Sequence, residues 1–302
     1  MRRLRNCLLV LVLLVAALLA SGPLLIALRE PDALPATSPA GVAGRFLDLP
    51  GGRTHVVEAG SGAPLLLVHG FGASTADFEE TVLEPLARSH RVIAVDLYGY
   101  GWSERRDDYR YGWALWADQL AATLDALGIA RASIAGHSMG GAAAAMFAVR
   151  HPDRIDRLIL ADALYPLLPE ERPPIFRLLH TPMLGEVALG LVRQASGPGF
   201  SAAHGEYAAA WYRIRGTRSG ALRYVRDDAG RAEIADAYPR IAAPTLVLHG
   251  TVDTFVPIAA MERIAPTIPH ARIVRIAGGG HFICRDAPDV FVREVDAFLA
   301  EP

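Results

Sequence analysis

The chain has 302 residues, of which 52% are hydrophobic, and its formal net charge at pH 7 is only −2. Because nucleic-acid-binding domains are strongly basic, so small a charge argues against that class of function. The two cysteines, Cys7 and Cys284, lie near opposite ends of the chain, so neither a disulfide framework nor a cysteine-rich zinc site is expected.

Residues 1–30 have the composition of a membrane segment. Three arginines, at positions 2, 3 and 5, precede an uncharged stretch over residues 6–28, which as a helix would be about 34 Å long and could cross a bilayer. We favour an uncleaved anchor over a cleaved signal, because the best cleavage site, Ala20-Ser21-Gly22, is followed by Pro23. The arginines predict that the rest of the chain is extracytoplasmic, either anchored or, in the alternative, secreted.

Residues 31–44 are rich in proline and small residues, as is typical of a linker, and residues 45–302 are expected to fold. Apolar runs bounded by turn residues predict strands at 45–49, 54–58, 64–68, 91–95, 132–135, 157–161, 245–248 and 272–276. Helical patterns are found at 78–89, 113–127, 140–150, 257–265 and 286–300. This alternation predicts an α/β fold with a doubly wound, mostly parallel sheet.

Residues 163–239 interrupt the alternation, because they contain several prolines and no convincing buried strand. We expect a helical cap inserted over the carboxyl ends of the strands, where open α/β sheets bind ligands. Six arginines here form either a solvated helical face or a surface for an acidic substrate or lipid headgroup: Arg213, Arg215, Arg218, Arg223, Arg226 and Arg231. Its apolar residues either line an acyl pocket or form the core of the insertion: Phe176, Leu178, Leu179, Met183, Leu184, Leu189 and Leu191.

The stretch Gly136-His137-Ser138-Met139-Gly140 lies between a predicted strand and an alanine-rich helix. A serine on such a sharp turn has a strained backbone, and glycine on both sides removes the clash that other side chains would cause. The turn lifts the hydroxyl clear of the sheet and places the Met139 N–H at a helix N-terminus, where negative charge is stabilised. The pattern predicts a nucleophilic serine.

A nucleophilic serine needs a base, and the base needs an acid to orient it. His281 follows three glycines after the last predicted strand, and Asp253 follows the strand before it. Both loops should lie at the carboxyl edge of the sheet beside Ser138. Asp162 also ends a strand and is the alternative acid.

Several other residues of these motifs are expected to have structural roles. His69 and His137 are interpreted as packing and loop-bonding residues, Asp96 as a residue that fixes a turn, and Cys284 as a small buried residue.

Four motifs together, His69-Gly70-Phe71-Gly72, the serine turn, His249-Gly250-Thr251-Val252-Asp253 and Gly280-His281-Phe282, resemble the α/β-hydrolase fold family in its capped esterase and C–C hydrolase branch. The resemblance covers about residues 45–300. It implies that Ser138 is the nucleophile, His281 the base and Asp253 the acid. It also implies that the N–H groups of Phe71 and Met139 form the oxyanion hole.

Together with the N-terminal segment, the resemblance implies a membrane-anchored serine hydrolase that cleaves a small-molecule or lipid carboxylic ester without cofactor or metal. Members of this family that open epoxides or displace halide use an aspartate at the turn. Because this chain has Ser138 there, the sequence argues against both of these activities. Carbon–carbon bond hydrolysis of vinylogous diketones needs the same three residues and stays open, as do haloperoxidase and hydroxynitrile lyase activities. A non-catalytic binding protein is a further alternative, although such a protein has no need of all three residues.

Overall fold

A computed structural model describes residues 2–168, 170–191 and 201–301, and the described strands form one eight-stranded sheet. The strands are β1 (Arg45–Leu49), β2 (Gly52–Ala59), β3 (Pro64–Val68), β4 (Arg91–Val95), β5 (Ala132–His137), β6 (Ile155–Ala161), β7 (Thr245–Gly250) and β8 (Ala271–Ile276). They lie in the order β1-β2-β4-β3-β5-β6-β7-β8. The pairings of β2 with β1 and β4 are antiparallel and the others are parallel, so the predicted mostly parallel sheet is confirmed.

The central strands are apolar along their whole length because helices cover both faces of the sheet. In β3, Leu65 and Leu67 belong to one buried cluster, and Leu66 and Val68 belong to the cluster on the opposite face. Side chains that alternate between two buried faces explain why a continuous apolar run, rather than an alternating one, predicted this strand.

The helices are α1 (Arg2–Ala20), α2 (Gly22–Arg29), α3 (Ala76–Glu79), α4 (Leu83–Ala87), α5 (Trp113–Ala126), α6 (Met139–Arg150), α7 (Pro174–His180), α8 (Leu184–Leu191), α9 (Ala202–Trp211), α10 (Thr217–Arg226), α11 (Asp228–Ala237), α12 (Ile258–Ile264), α13 (Ile283–Asp286) and α14 (Pro288–Leu299). The predictions for α5, α6 and α12 agree with these bounds to within one residue at each end. In the described part of the chain, helices α7–α11, a short 3₁₀ helix at Tyr238–Arg240 and connecting segments lie between β6 and β7, without a further strand of the sheet.

The single helix predicted over residues 78–89 is wrong, because the chain forms α3 and α4 separated by a turn. Proline has no N–H and its ring clashes with the carbonyl of the preceding turn, so Pro85 cannot lie in the middle of a continuous helix. Helix α4 instead begins at Leu83 and holds Pro85 in its first turn. The helix predicted at 286–300 corresponds to α14, which begins two residues later at Pro288, because proline is tolerated as the first residue of a helix.

The N-terminal apolar stretch forms α1 and α2, with a break at Ser21 two residues before Pro23. Residues 5–29 are long and apolar enough to cross a membrane, and only 11% of their most apolar window is buried. Helix α2 packs against α8 at close range. A Cβ atom added at Gly190 would lie 2.6 Å from the Cβ of Leu25, so glycine is needed for this approach.

Candidate active site

Ser138 occupies the turn between β5 and α6 with φ 51° and ψ −118°, a conformation that L-residues rarely adopt. The two flanking glycines are required by close backbone contacts. A Cβ atom at Gly136 would lie 2.4 Å from the carbonyl oxygen of Gly140, and one at Gly140 would lie 2.3 Å from that of Val68. The sequence therefore imposes the strained turn, and the strain holds the Ser138 hydroxyl beyond the end of the strand.

The structure brings Ser138, His281 and Asp253 together at the carboxyl edge of the sheet. The Ser138 Oγ lies 3.0 Å from Nε2 of His281, and Nδ1 of His281 lies 2.8 Å from Oδ2 of Asp253. The loops after β7 and β8 are bonded to each other, since Thr251 N–H donates to the carbonyl of Ile276 and Val252 N–H to that of Gly279. This pairing of two loops fixes Asp253 relative to His281.

The Asp253 carboxylate is buried and fully engaged. Its Oδ1 accepts hydrogen bonds from the N–H groups of Phe255 at 2.7 Å and Val256 at 2.9 Å. Burial opposes ionisation, but the hydrogen bond to His281 and these two N–H donors hold the pKa of Asp253 below its usual range. An ionised Asp253 is suited to orient the His281 ring and to stabilise its protonated form.

Asp162, the alternative acid, has a different set of partners. Its Oδ1 accepts a hydrogen bond from the N–H of Gly250 at 2.9 Å, and its Oδ2 accepts one from the N–H of Ile283 at 3.0 Å. Burial raises the pKa of Asp162 well above its usual range. The side chain therefore ties the end of β7 to the segment that follows His281, and it does not contact the His281 ring.

The N–H groups of Phe71 and Met139 donate no hydrogen bond within the described part of the chain. Met139 is the first residue of α6, and Gly70 packs against Ser138, since a Cβ atom at Gly70 would lie 3.1 Å from the Cβ of Ser138. The loop that carries Phe71 is held by His69, whose Nε2 accepts from the N–H of Leu97 at 3.0 Å and whose Nδ1 lies 2.8 Å from the Gly70 carbonyl. Two open donors thus adjoin the serine.

His137 has a closer connection to His281 than the sequence indicated. Its Nε2 lies 2.6 Å from the main-chain carbonyl of His281, and the two rings are 5.1 Å apart. Burial, followed by the neighbouring charge of His281, lowers the pKa of His137 to about 3, so the ring is neutral and donates through Nε2. Only a structure reveals this bond, because it joins a side chain to a backbone atom 144 residues away.

Asp162, His249 and Asp253 bring potential metal-ligating atoms within 4.8 Å of one another. The carboxylate oxygens of this group already accept hydrogen bonds from backbone N–H groups or from His281. We therefore assign the group to the support of the loops and not to metal binding.

An apolar cavity of about 480 Å³ lies beneath the helices of residues 163–239. Leu164, one of its lining residues, donates its N–H to the Ser138 main-chain carbonyl at 2.9 Å, but Ser138 and His281 are not among the lining residues. The rings of Phe176 and Tyr224 also line it, with centroids 6.3 Å and 5.9 Å from that of Phe71.

The sequence model of a family described as the alpha/beta hydrolase fold matches residues 63–288. The chain belongs to the α/β-hydrolase fold family. A 2-hydroxymuconate semialdehyde hydrolase of Pseudomonas sp. (strain CF600) is 32% identical over 278 residues, which cover 85% of this chain and 94% of that protein. A 2-hydroxy-6-oxo-2,4-heptadienoate hydrolase of Pseudomonas putida is 28% identical over 281 residues, covering 85% and 96%.

A solved structure of a bacterial membrane phospholipase A is 25% identical to this α/β hydrolase, with a TM-score of 0.65. It covers 99% of this chain and 98% of its own, so the match includes the N-terminal apolar helices. The family predicted from the four motifs is confirmed, and the chain is a hydrolase.

The arginines of residues 163–239 in this hydrolase are not a simple solvated face. Arg218 is buried beside Glu30, and three others pair with carboxylates within 3.1 Å: Arg213 with Asp32, Arg223 with Asp107 and Arg226 with Glu186. The Arg231 side chain lies outside the described residues, as do Pro169 and Pro198.

None of the described arginines in that set lines the apolar cavity; the cation that does is Arg172, which the sequence did not single out. Of the apolar residues proposed for an acyl pocket, Phe176 lines this cavity. Leu178, Met183, Leu184 and Leu191 are exposed instead, and Leu179 and Leu189 are buried in the core.

The remaining interpretations agree with the structure. Asp96 accepts hydrogen bonds from the N–H groups of Thr75 and Trp102, and its Oδ2 lies 2.9 Å from Nδ1 of His55, so it fixes the loops after β3 and β4. Cys284 is a buried side chain whose thiol pKa is raised by burial.

Proposed function

We propose that this α/β hydrolase works through an acyl-enzyme formed on Ser138. The observation that carries the proposal is the continuous contact from Ser138 through His281 to Asp253. His281 Nε2 would take the Ser138 proton as the oxygen attacks a carbonyl carbon, and Asp253 would stabilise the resulting imidazolium. The N–H groups of Phe71 and Met139 would bind the oxyanion, where each donor contributes about 10²–10³ in rate.

His281 then returns the proton to the leaving group, and the carbonyl re-forms as an ester of Ser138. Water attacks this acyl-enzyme with His281 again as base, and the acid product leaves as the serine hydroxyl is restored. The same steps serve any substrate in which a carbonyl carbon carries a leaving group that can accept a proton.

The curated relatives favour carbon–carbon bond cleavage over the ester cleavage that the sequence analysis puts first. The compound named for the Pseudomonas putida relative, 2-hydroxy-6-oxo-2,4-heptadienoate, contains no ester or amide bond. Its hydrolysis must therefore break the carbon–carbon bond beside the oxo group, which requires a proton on the departing carbon. The apolar cavity beneath the helices of residues 163–239, walled by Trp113, Phe176 and Tyr224, is suited to such a conjugated chain.

A lipid ester is the second candidate, and one observation favours it. The membrane phospholipase A matches the chain through its N-terminal helices, whereas the two Pseudomonas relatives cover only 85% of it. We propose that α1 is retained as a membrane anchor and that the catalytic residues lie on the extracytoplasmic side. The basic residues at positions 2, 3 and 5 support this orientation.

The test is a comparison of substrates with the full-length protein in lipid nanodiscs. We expect Ser138 to be labelled by a fluorophosphonate and Ser138→Ala to lose both labelling and turnover. The substrates are 2-hydroxy-6-oxo-2,4-heptadienoate, p-nitrophenyl esters of increasing length, and lysophospholipids. Turnover that survives in Ser138→Ala would refute the acyl-enzyme. The substrate with the highest kcat/KM decides between cleavage of a carbon–carbon bond and cleavage of an ester bond.

The membrane proposal has a separate test. The protein should stay with membranes after carbonate washing and keep its original N-terminus by mass spectrometry. A shorter soluble form that begins near Gly22 would establish a cleaved signal instead.

A further inference from the structure

Helix α7 and the turn that joins it to α8 expose four large apolar side chains, which we call the α7–α8 patch. Ile175 is 46% exposed, Leu178 37%, Met183 41% and Leu184 40%. Single exposed apolar residues are common on soluble proteins, but a group of them on one element and its adjoining turn marks an interaction surface. The patch therefore indicates a partner that the body of the protein does not supply.

Met183, in the turn itself, has an uncommon backbone conformation, with φ 67°. Glycine adopts a positive φ without cost, whereas other residues are strained there. A glycine at this position would relieve the strain and would leave no apolar side chain in water. The stability of the isolated domain therefore does not explain a methionine at this turn, and a contact made by its side chain does.

Helix α8 runs parallel to α2, and this direction places the patch on the side of α1. A Cβ atom added at Gly22, the first residue of α2, would lie 2.6 Å from the Cβ of Glu186, and one added at Gly190 would lie 2.6 Å from the Cβ of Leu25. The beginning of α2 thus meets the beginning of α8, and the later parts of the two helices also meet. The patch adjoins the amino end of α8, so it lies where α2 joins α1, and α1 itself contacts α8.

The length of α1 sets the depth of this join in a bilayer. Residues 6–20, which follow the last of the N-terminal arginines, would span about 22 Å as a helix. The hydrocarbon core of a bilayer is about 30 Å thick, so the first residues of α2 must supply the remainder. Residues 23–26 are apolar and can do so. The beginning of α2, and the patch beside it, would therefore lie at the depth of the acyl chains.

The charged residues next to the patch are compatible with this depth. Glu186, which lies against Gly22, is paired with Arg226 through two hydrogen bonds of 2.6 Å and 2.8 Å, so it carries no unpaired carboxylate towards the lipid. Arg177 of α7 is exposed. A long arginine side chain can lie along acyl chains while its charge stays among the headgroups.

We propose that the α7–α8 patch is a membrane-docking surface that inserts among the acyl chains of the extracytoplasmic leaflet beside α1. The proposal rests on the proposed retention of α1 as an anchor and adds a second point of attachment. Helix α7 also carries Phe176, whose ring lies 6.3 Å from that of Phe71. Docking of α7 would therefore hold the carboxyl edge of the sheet, where Phe71 lies, towards the membrane.

Fluorescence quenching by lipid tests the patch in nanodiscs that hold one copy of the full-length protein. In a Cys7→Ser background, Met183→Cys is labelled with the fluorophore NBD, while Cys284 is buried and stays unlabelled. The quencher is a phosphatidylcholine with a nitroxide near the headgroup end of one acyl chain. The matched control is Ser89→Cys, an exposed position just before β4 at the amino edge of the sheet. We expect quenching at Met183→Cys to exceed that at Ser89→Cys by about threefold or more, and equal quenching would overturn the proposal.

A label on the native Cys7 of α1 separates docking from anchoring. Quenching at Cys7 without quenching at Met183→Cys would keep the anchor and overturn the docking surface. Absence of quenching at both positions would remove the anchor and, with it, the docking that rests on it. Turnover is not part of the readout, so failure of the acyl-enzyme proposal would leave these results unchanged.

Charged substitutions test the insertion itself. The double variant Met183→Asp, Leu184→Asp should lower the quenching of a label at Ile175→Cys by about threefold or more, because a carboxylate is costly among acyl chains. Quenching at Cys7 should stay the same, which shows that the variant is folded into the membrane. Unchanged quenching at Ile175→Cys would contradict docking. If Met183→Cys instead forms an intermolecular disulfide in two-copy nanodiscs and is not quenched in one-copy nanodiscs, a second copy covers the patch and the proposal is overturned.

Discussion

The carboxyl edge of the sheet and the helices of residues 163–239 are held in place by different forces. At the sheet edge, strained or closely packed backbone and buried hydrogen bonds fix each side chain, as at Ser138 and Asp253. The helices above it are fastened by arginine–carboxylate pairs, as between Arg226 and Glu186, and expose large apolar side chains. The contrast suggests that the sheet edge sets the chemistry and the helices set the choice of substrate.

The largest expected effect comes from the acid at the sheet edge. Asp253→Asn keeps the shape but loses the charge that orients His281, and we expect kcat to fall by about 10⁴ with the melting temperature little changed. Asp162→Asn should instead leave an N–H donor of Gly250 or Ile283 without an acceptor and cost about 1–3 kcal/mol of stability. Matched kinetics and thermal melts check both, and the opposite pattern would move the acid to Asp162.

The next expected effect is a loss of stability at the contact between the N-terminal helices and α10. The buried Glu30 carboxylate accepts hydrogen bonds from the N–H groups of Gly216, at 2.9 Å, and Arg218, and it faces the Arg218 guanidinium. Because Glu30→Gln leaves a buried cation without its counter-charge, we expect a loss of about 3 kcal/mol in chemical denaturation. Asp32→Asn, which breaks the exposed pair with Arg213, is the control and should cost under about 1 kcal/mol. Equal costs would mean that burial does not distinguish the two pairs.

A smaller effect is expected at His137, which bonds to the backbone of the base. His137→Ala removes the donor to the His281 carbonyl, and we expect kcat for a soluble ester to fall about tenfold to a hundredfold with KM unchanged, since a misplaced base slows the chemical step. His137→Gln retains a side-chain N–H and should recover part of that loss. If alanine and glutamine variants behave alike, His137 acts only through packing.

The last expected effect is a pH dependence at the contact between the two regions, and it accumulates over several pH units. Asp77 of α3 lies 3.5 Å from His204 of α9, and burial raises its pKa to about 7. A carboxyl group whose pKa is raised in the folded state contributes its full stabilisation when the pH is below its ordinary pKa. That contribution is lost as the pH rises through the folded-state pKa of about 7. The wild type should therefore lose stability relative to Asp77→Asn between about pH 4 and pH 7, by at most about 1.4 kcal/mol per pH unit. Parallel melting curves across that range would contradict this.

The local sequence was sufficient to predict the structure where a residue type has one dominant physical reason to be present. The apolar run at Leu65–Val68 predicted a buried strand, and the glycines around Ser138 predicted the strained turn, because each signal lies within a few residues. The identity of the acid and the bond from His137 depend on partners far away in the chain. The divided helix at 76–87 was missed for a local reason, the position of Pro85.

The close packing of α2 against α8 has a practical consequence for any attempt to free the protein from lipid. Cleavage at Ala20-Ser21-Gly22 would remove α1 but leave α2 on the body, with Leu24 and Leu28 about 60% and 67% exposed. Such a shortened product would keep an exposed apolar surface on α2 and would therefore adsorb to detergent, glass or vesicles. Adsorption alone therefore says nothing about anchoring, and a truncated form made for crystallisation should begin before Gly22 and have these two leucines replaced by polar residues.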